Sequence, residues 1–167
     1  MITQTVRKIP AFALTITMLA LISGCSSQGV YESTRPPPRE VVAQSQSLGE
    51  KAAAIALDQV GVSYRYGGAS RSGFDCSGLV YFAYGRAGKT VARTTRALWS
   101  STSSIRREDL QVGDLLFFDI EGKMSHVGLY LGGQQFVHAP SSGRTVTVAK
   151  LESPFYAAAF IRGGRPK

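Results

Sequence analysis

Gly73-Phe74-Asp75-Cys76-Ser77-Gly78-Leu79-Val80 decides how this chain is read, because it sets a thiol between a glycine-rich loop and an apolar run. Upstream lies Tyr64-Arg65-Tyr66-Gly67-Gly68, a loop with side chains able to reach a ligand. Downstream, Leu79, Val80, Phe82, Ala83 and Tyr84 cover most of a helix circumference, which predicts a largely buried helix from Cys76 to Ala87. A helix N-terminus has unpaired N–H groups and the positive end of the helix dipole, so a thiol there can be drawn toward thiolate. Cys76 is therefore a candidate nucleophile; the bland alternative is a small buried hydrophobe.

Working outward, Ser47-Leu48-Gly49-Glu50 has the serine and the glutamate three residues on of a capping box. Ala52, Ala53, Ile55, Ala56, Leu57 and Val60 follow at helical spacing and Gly61 supplies the stop, giving a helix over 48–60. Residues 93–99, Arg93-Thr94-Thr95-Arg96-Ala97-Leu98-Trp99, read as a short helix, followed by a Ser/Thr-rich stretch to 104. From Gly113 the pattern becomes short strands at 114–118, 126–131, 135–139, 145–148 and 158–162, separated by glycine or proline turns. Helices followed by strands give an α+β domain with an antiparallel sheet over 47–167. No internal repeat is present.

The amino terminus has a separate task. Arg7 and Lys8 precede a 12-residue apolar stretch, Ala11 to Ile22, interrupted by Thr15 and Thr17. That is shorter than the ~20 residues of a spanning helix and has the layout of a secretory signal. It ends in Leu21-Ile22-Ser23-Gly24-Cys25, which resembles a bacterial lipobox. The resemblance implies cleavage after residue 24 and lipidation of Cys25, with acyl chains enough for stable membrane anchoring. Ser26 in place of an aspartate implies the periplasmic face of the outer membrane over the inner one. Residues 25–46, with Pro36-Pro37-Pro38 and Gln44-Ser45-Gln46, form a polar tether spanning up to roughly 70 Å at ~3.3 Å per residue. The alternative is an ordinary cleaved signal with a Cys25–Cys76 disulfide.

Without residues 1–24, whose only charges are Arg7 and Lys8, the net charge falls from +8 to +6. Such a balance suits cell wall or lipid head groups. Export, and the absence of any run of five Lys or Arg, argue against nucleic acid.

The chain has two histidines, His126 and His138, on adjacent predicted strands joined by Gly132-Gly133. With one free cysteine they are the minimum parts of a cysteine-nucleophile site: one imidazole to exchange the thiol proton, and a second polar group to orient it. Strand alternation attaches a condition. A two-residue loop at Gly132-Gly133 puts the histidines on opposite faces, so the catalytic reading needs an odd-length loop or a bulge. A zinc site from the three residues is disfavoured, since no C-x-x-C or H-x-x-x-H element occurs. No metal or cofactor is expected.

Tyr64-Arg65-Tyr66-Gly67-Gly68, Gly73-Phe74-Asp75-Cys76-Ser77-Gly78-Leu79-Val80, Leu110 to Phe118, Ser125-His126-Val127-Gly128-Leu129-Tyr130-Leu131 and Phe136-Val137-His138-Ala139 resemble, in order and spacing, the NlpC family of bacterial cell-wall cysteine peptidases. The resemblance covers about 48–165. It implies a papain-like fold in which the cysteine starts a buried helix packed on an antiparallel sheet. It also implies Cys76 as nucleophile, His126 as general base and acid, and His138 as the residue orienting it. Tyr64, Asp75 and Ser77 match positions lining the site: Tyr64 for the cysteine or oxyanion, Asp75 and Ser77 for polar groups of substrate. The implied substrate is the stem peptide or cross-link of peptidoglycan. Ala92 stands where a proline often precedes the Arg-Thr pair, and Leu98 where a glutamine is common, both near the expected cleft. Two rival functions are a non-catalytic wall-binding scaffold and a related amidase or acyltransferase.

Overall fold

The computed structural model describes residues 45–120 and 122–167. The signal, Cys25 and nearly all of the tether fall outside them. The element order is α1 (Leu48–Leu57), β1 (Ala69–Ser70), β2 (Gly73–Phe74), α2 (Cys76–Ala87), α3 (Thr95–Ser101), β3 (Thr102–Ile105), a 3-10 turn (Arg107–Asp109), β4 (Leu115–Ile120), β5 (Lys123–Gly132), β6 (Gln135–His138), β7 (Thr147–Lys150), α4 (Pro154–Ala159) and β8 (Phe160–Pro166). This is the expected mixture of helices and antiparallel sheet. The six-stranded sheet has the order β3-β8-β4-β5-β6-β7, with every pairing antiparallel.

Local chemistry fixes the helix starts. Ser47 and Glu50 form both halves of the capping box of α1, and the helix ends three residues before the expected Val60 in a run of turns closed by Gly61. The α2 helix begins at Cys76 as expected, capped by Asp75, whose carboxylate accepts from the Gly78 N–H at 2.6 Å. Gly78 is required by packing, because a Cβ there would collide with the carbonyl oxygen of Gly68. The glycine thus lets the loop lie directly against the first turn of the nucleophile helix.

One core lies between the helices and the sheet. Ala52, Ala53 and Ala56 of α1 and Leu79, Val80 and Ala83 of α2 are buried against Leu115, Phe117, Val127, Leu129 and Val137. The strand β4 is buried at four consecutive positions, Leu115 to Phe118, so both faces of the sheet are covered. On the second face Leu116, Phe118, Tyr130, Phe136 and Leu151 form a separate cluster, with Tyr156 and Ala159 of α4 packed on it. An ion pair ties the start of β4 to the neighbouring strand β8: buried Asp114 takes two hydrogen bonds from Arg165, each 2.7 Å.

Two elements differ from expectation. Residues 154–159, partly assigned to a strand, are the helix α4, whose proline sits at the start where its missing N–H costs nothing. The Ser/Thr-rich segment after α3 contains β3, a strand formed by pairing with β8 rather than by its own apolar pattern. In addition, β7 begins at Thr147, two residues later than expected.

Candidate active site

The thiol of Cys76, the free cysteine of the described residues, stands at the first turn of α2. It lines an open cleft of about 490 Å³ with Tyr64, Tyr66, Asp75, Arg93 and Thr95. Its hydrogen-bond partners are Thr95 Oγ1 at 3.7 Å and the Ser125 carbonyl oxygen at 3.9 Å. Ser125 immediately precedes His126, so the thiol meets β5 at the backbone beside the candidate base. Burial pushes the Cys76 thiol up from its ordinary value, with hydrogen bonds from Thr95 and the Val127 and Ser77 amides acting the other way. Burial outweighs these hydrogen bonds and favours the neutral thiol. A somewhat larger concavity, about 520 Å³ between α1 and α2, contains none of these groups.

The two histidines are brought together. His126 Nε2 and His138 Nδ1 are 2.8 Å apart, with ring planes at 82°. The turn that does this is not at Gly132-Gly133. Gly132 pairs with Gln135, leaving Gly133 and Gln134 as a two-residue turn with φ of 55° and 58°. Such positive φ at both central residues belongs to the type I′ turn that suits a twisted hairpin. By itself this register leaves the histidines on opposite faces. The pairs Tyr130–Phe136 and Leu129–Val137 show that the register has shifted by one, so Leu131 is a bulge. That extra residue returns His138 to the face of His126, fulfilling the bulge branch of the condition.

Both imidazoles are buried and neutral. Burial lowers His126 to about 4. His138 falls to about 3 through burial, helped by the charges of His126 and Arg144. His138 has a second partner absent from the sequence expectations: the Tyr156 hydroxyl lies 3.3 Å from its Nε2.

Asp75 and Ser77 line the cleft, but most of their capacity is already used within the protein. Asp75 accepts from the Gly67 N–H at 2.9 Å, the Gly78 N–H, the Ser77 hydroxyl at 3.2 Å and both terminal nitrogens of Arg93 at 2.8 and 2.9 Å. Arg93 also reaches the Ser77 hydroxyl and the Gly68 carbonyl. Burial pushes Asp75 up, while Arg93, the Gly78 N–H and Ser77 more than offset it and hold the carboxyl below its ordinary range. The carboxylate thus braces the loop against α2, where a group for binding substrate was expected. Tyr64 lies in the cleft beside Cys76; its phenol is raised by burial and by the Cys76 and Asp75 charges.

Leu98, expected near the cleft, is instead wholly buried in the core, where an apolar side chain is required. Arg93, Thr95 and Tyr156 had no assigned role from sequence. The Arg93-Thr94 pair is a visible signal for Arg93, with Thr95 directly after it; Tyr156 has none, since the six residues of α4 are too short for a helical period to show.

The model of the NlpC/P60 family matches residues 61–165, more than half of the chain. Murein DD-endopeptidase MepH of Escherichia coli K12 is 35% identical over 126 residues, covering 70% of this chain and 46% of the relative, so the chain spans about half of that protein's length. Murein DD-endopeptidase MepS/Murein LD-carboxypeptidase of the same organism is 30% identical over 167 residues, covering 90% and 86%. Among solved structures, a lipoprotein-like NLP/P60 family protein of Staphylococcus aureus superposes with a TM-score of 0.65 at 32% identity, over 72% of this chain and 42% of that one. Sequence motifs, matched length and fold agree, and the chain belongs to the NlpC/P60 family.

Proposed function

We propose that this protein is a peptidoglycan endopeptidase using Cys76 as nucleophile. The observation that carries the reading is a thiol at a helix N-terminus in an open cleft, set against strand β5, whose His126 is hydrogen-bonded to His138 of β6. The names of the relatives support murein as substrate class, and within it the DD cross-link between stem peptides.

With Nε2 of His126 engaged by His138, Nδ1 is the nitrogen left to act as base. The thiol proton passes from Sγ to that nitrogen as sulfur attacks the peptide carbonyl, forming a C–S bond and an oxyanion. Proton transfer is coupled to attack, because buried sulfur and buried imidazole both resist charge in the resting protein. Among the described residues Sγ is hydrogen-bonded to Thr95 and the Ser125 carbonyl and not to His126; the thiol–imidazole contact tightens in the substrate complex, as catalytic hydrogen bonds do. Asp75 occupies the Gly78 N–H, leaving the Cys76 N–H at the start of α2 to meet the oxyanion. The C–N bond then breaks as His126 protonates the leaving amine. Water, deprotonated by the same nitrogen, releases the acid and restores the thiol.

The further reading is that Cys25 is lipidated and holds the domain at the periplasmic face of the outer membrane, within reach of the wall. Incubating the full chain with purified sacculi and cross-linked muropeptide dimers, followed by mass spectrometry, tests the reaction. Conversion of dimers to monomers, abolished in Cys76→Ser, is expected. Full activity in that variant sinks the mechanism; cleavage only within uncrosslinked stems sinks the assignment of the bond.

A further inference from the structure

His138 is 1% exposed, and a buried imidazole needs partners for both ring nitrogens. Its Nδ1 faces His126 and its Nε2 faces the Tyr156 hydroxyl. Tyr156 stands on α4 with its ring edge-on to those of His138, Phe118 and Phe136, so packing fixes where the hydroxyl points. The tyrosine, half-buried, does not line the cleft of Cys76; it lines a separate concavity of about 490 Å³ behind His138, with Arg144 and Thr147.

Proton bookkeeping along this chain allows two arrangements. If Tyr156 donates to Nε2 of His138, that ring carries its proton on Nδ1 and gives it to Nε2 of His126, whose own proton then sits on Nδ1. His126 is then blocked as a base. In the opposite arrangement His126 Nε2–H donates to His138 Nδ1, His138 Nε2–H donates to the tyrosine oxygen, and the phenolic proton goes to solvent in the concavity. Only this second arrangement leaves Nδ1 of His126 with a lone pair, and only it gives the imidazolium an acceptor for its Nε2–H. Arg144, whose charge faces both His138 and Tyr156, opposes a second positive charge on His138, so the proton taken by His126 stays there.

Resting on the peptidase reading above, we propose that Tyr156 is a positioning residue: by accepting the Nε2–H of His138 it holds the tautomer in which His126 can take the thiol proton at Nδ1. The residue acts on the base through His138 and touches neither substrate nor sulfur.

The test is Tyr156→Phe in the full chain, which keeps the ring packing and deletes the oxygen. On a muropeptide dimer, kcat is expected to fall about tenfold, the worth of one lost hydrogen bond to a buried group, with KM unchanged. In ¹⁵N-histidine spectra of the wild type, His138 is expected protonated at Nε2, and in the variant as a mixture of tautomers. Unchanged kcat in a folded variant overturns the proposal, as does a wild-type spectrum with His138 protonated at Nδ1. The spectrum needs no substrate, so it decides the point if the variant fails to fold. It also separates this proposal from failure of the peptidase reading, which would appear as an inactive wild type.

Discussion

Asp75 shows how much of the site one side chain can organise. Its two oxygens cap α2, hold the loop at Gly67 and receive a forked guanidinium, so removing it frees the start of the nucleophile helix and leaves Arg93 unpaired. Loss of a cap costs about 1 kcal/mol, and abandoning the partner of a partly buried ion pair costs more. Asp75→Ala is expected to lose about 2–4 kcal/mol, read as a lowered urea midpoint at unchanged slope, together with most of kcat. A midpoint equal to wild type would show that the network is ornamental. Cys76 gives a second prediction at this scale. Because burial raises its thiol, alkylation by iodoacetamide should be slower than for a free thiol at pH 7 and keep rising into the alkaline range, followed site by site by mass spectrometry. A rate plateau reached below pH 7 would reveal a preformed thiolate instead.

Among the elements, the β5–β6 hairpin carries the decisive irregularity. Its two-residue turn separates the histidines by face, and the Leu131 bulge reunites them. Deleting Leu131 should remove the extra residue and turn His138 away. The expected result is a variant with the wild-type far-ultraviolet circular dichroism, no His126–His138 hydrogen bond in histidine spectra, and activity below detection. Retained activity would mean that the face relation does not matter. The hairpin also marks how far the sequence could be read. Period-two alternation shows that two strands exist, and the presence of two histidines shows that a site needs them on one face. Alternation cannot say where an extra residue is accommodated, since glycines at 132 and 133 permit several turns. Helices α1 and α2 were legible because their caps are local: Ser47 with Glu50, and Asp75 before Cys76. The strand β3 was hidden because its serines are held by β8, and α4 because six residues are too few for a helical period to emerge from Phe155-Tyr156-Ala157-Ala158-Ala159. Losing α4 meant losing Tyr156, and with it the partner of His138.

For the molecule as a whole, covering both faces of the sheet has a consequence for acid stability. The cluster around Phe118 and Phe136 that seats α4 also packs on the imidazoles, which is why His126 and His138 are kept neutral. An imidazole whose folded pKa is depressed gives stability that is fully present above the ordinary value of 6.5 and is lost as pH falls, because the unfolded chain takes the proton first. The loss levels only when the folded protein also titrates, at about 4 and about 3. Carboxylates titrate below this range, so the interval from 6.5 to 4.5 belongs to the histidines. Each buried imidazole contributes a limiting slope of about 1.4 kcal/mol per pH unit, so the pair should approach about 2.7. Because that slope is only half-developed at pH 6.5, the loss over two pH units falls short of the limiting product, but it is still a substantial share of the roughly 5–15 kcal/mol that holds a domain together, and stability should fall steeply toward pH 4.5. His138→Asn keeps a hydrogen-bonding group beside His126 and removes one titrating ring. In urea titrations across pH 4.5–6.5 its slope should be about half that of wild type. An unchanged slope would place the acid sensitivity outside the catalytic pair, and the burial that sets the chemistry of the site would then not be what limits the protein in acid.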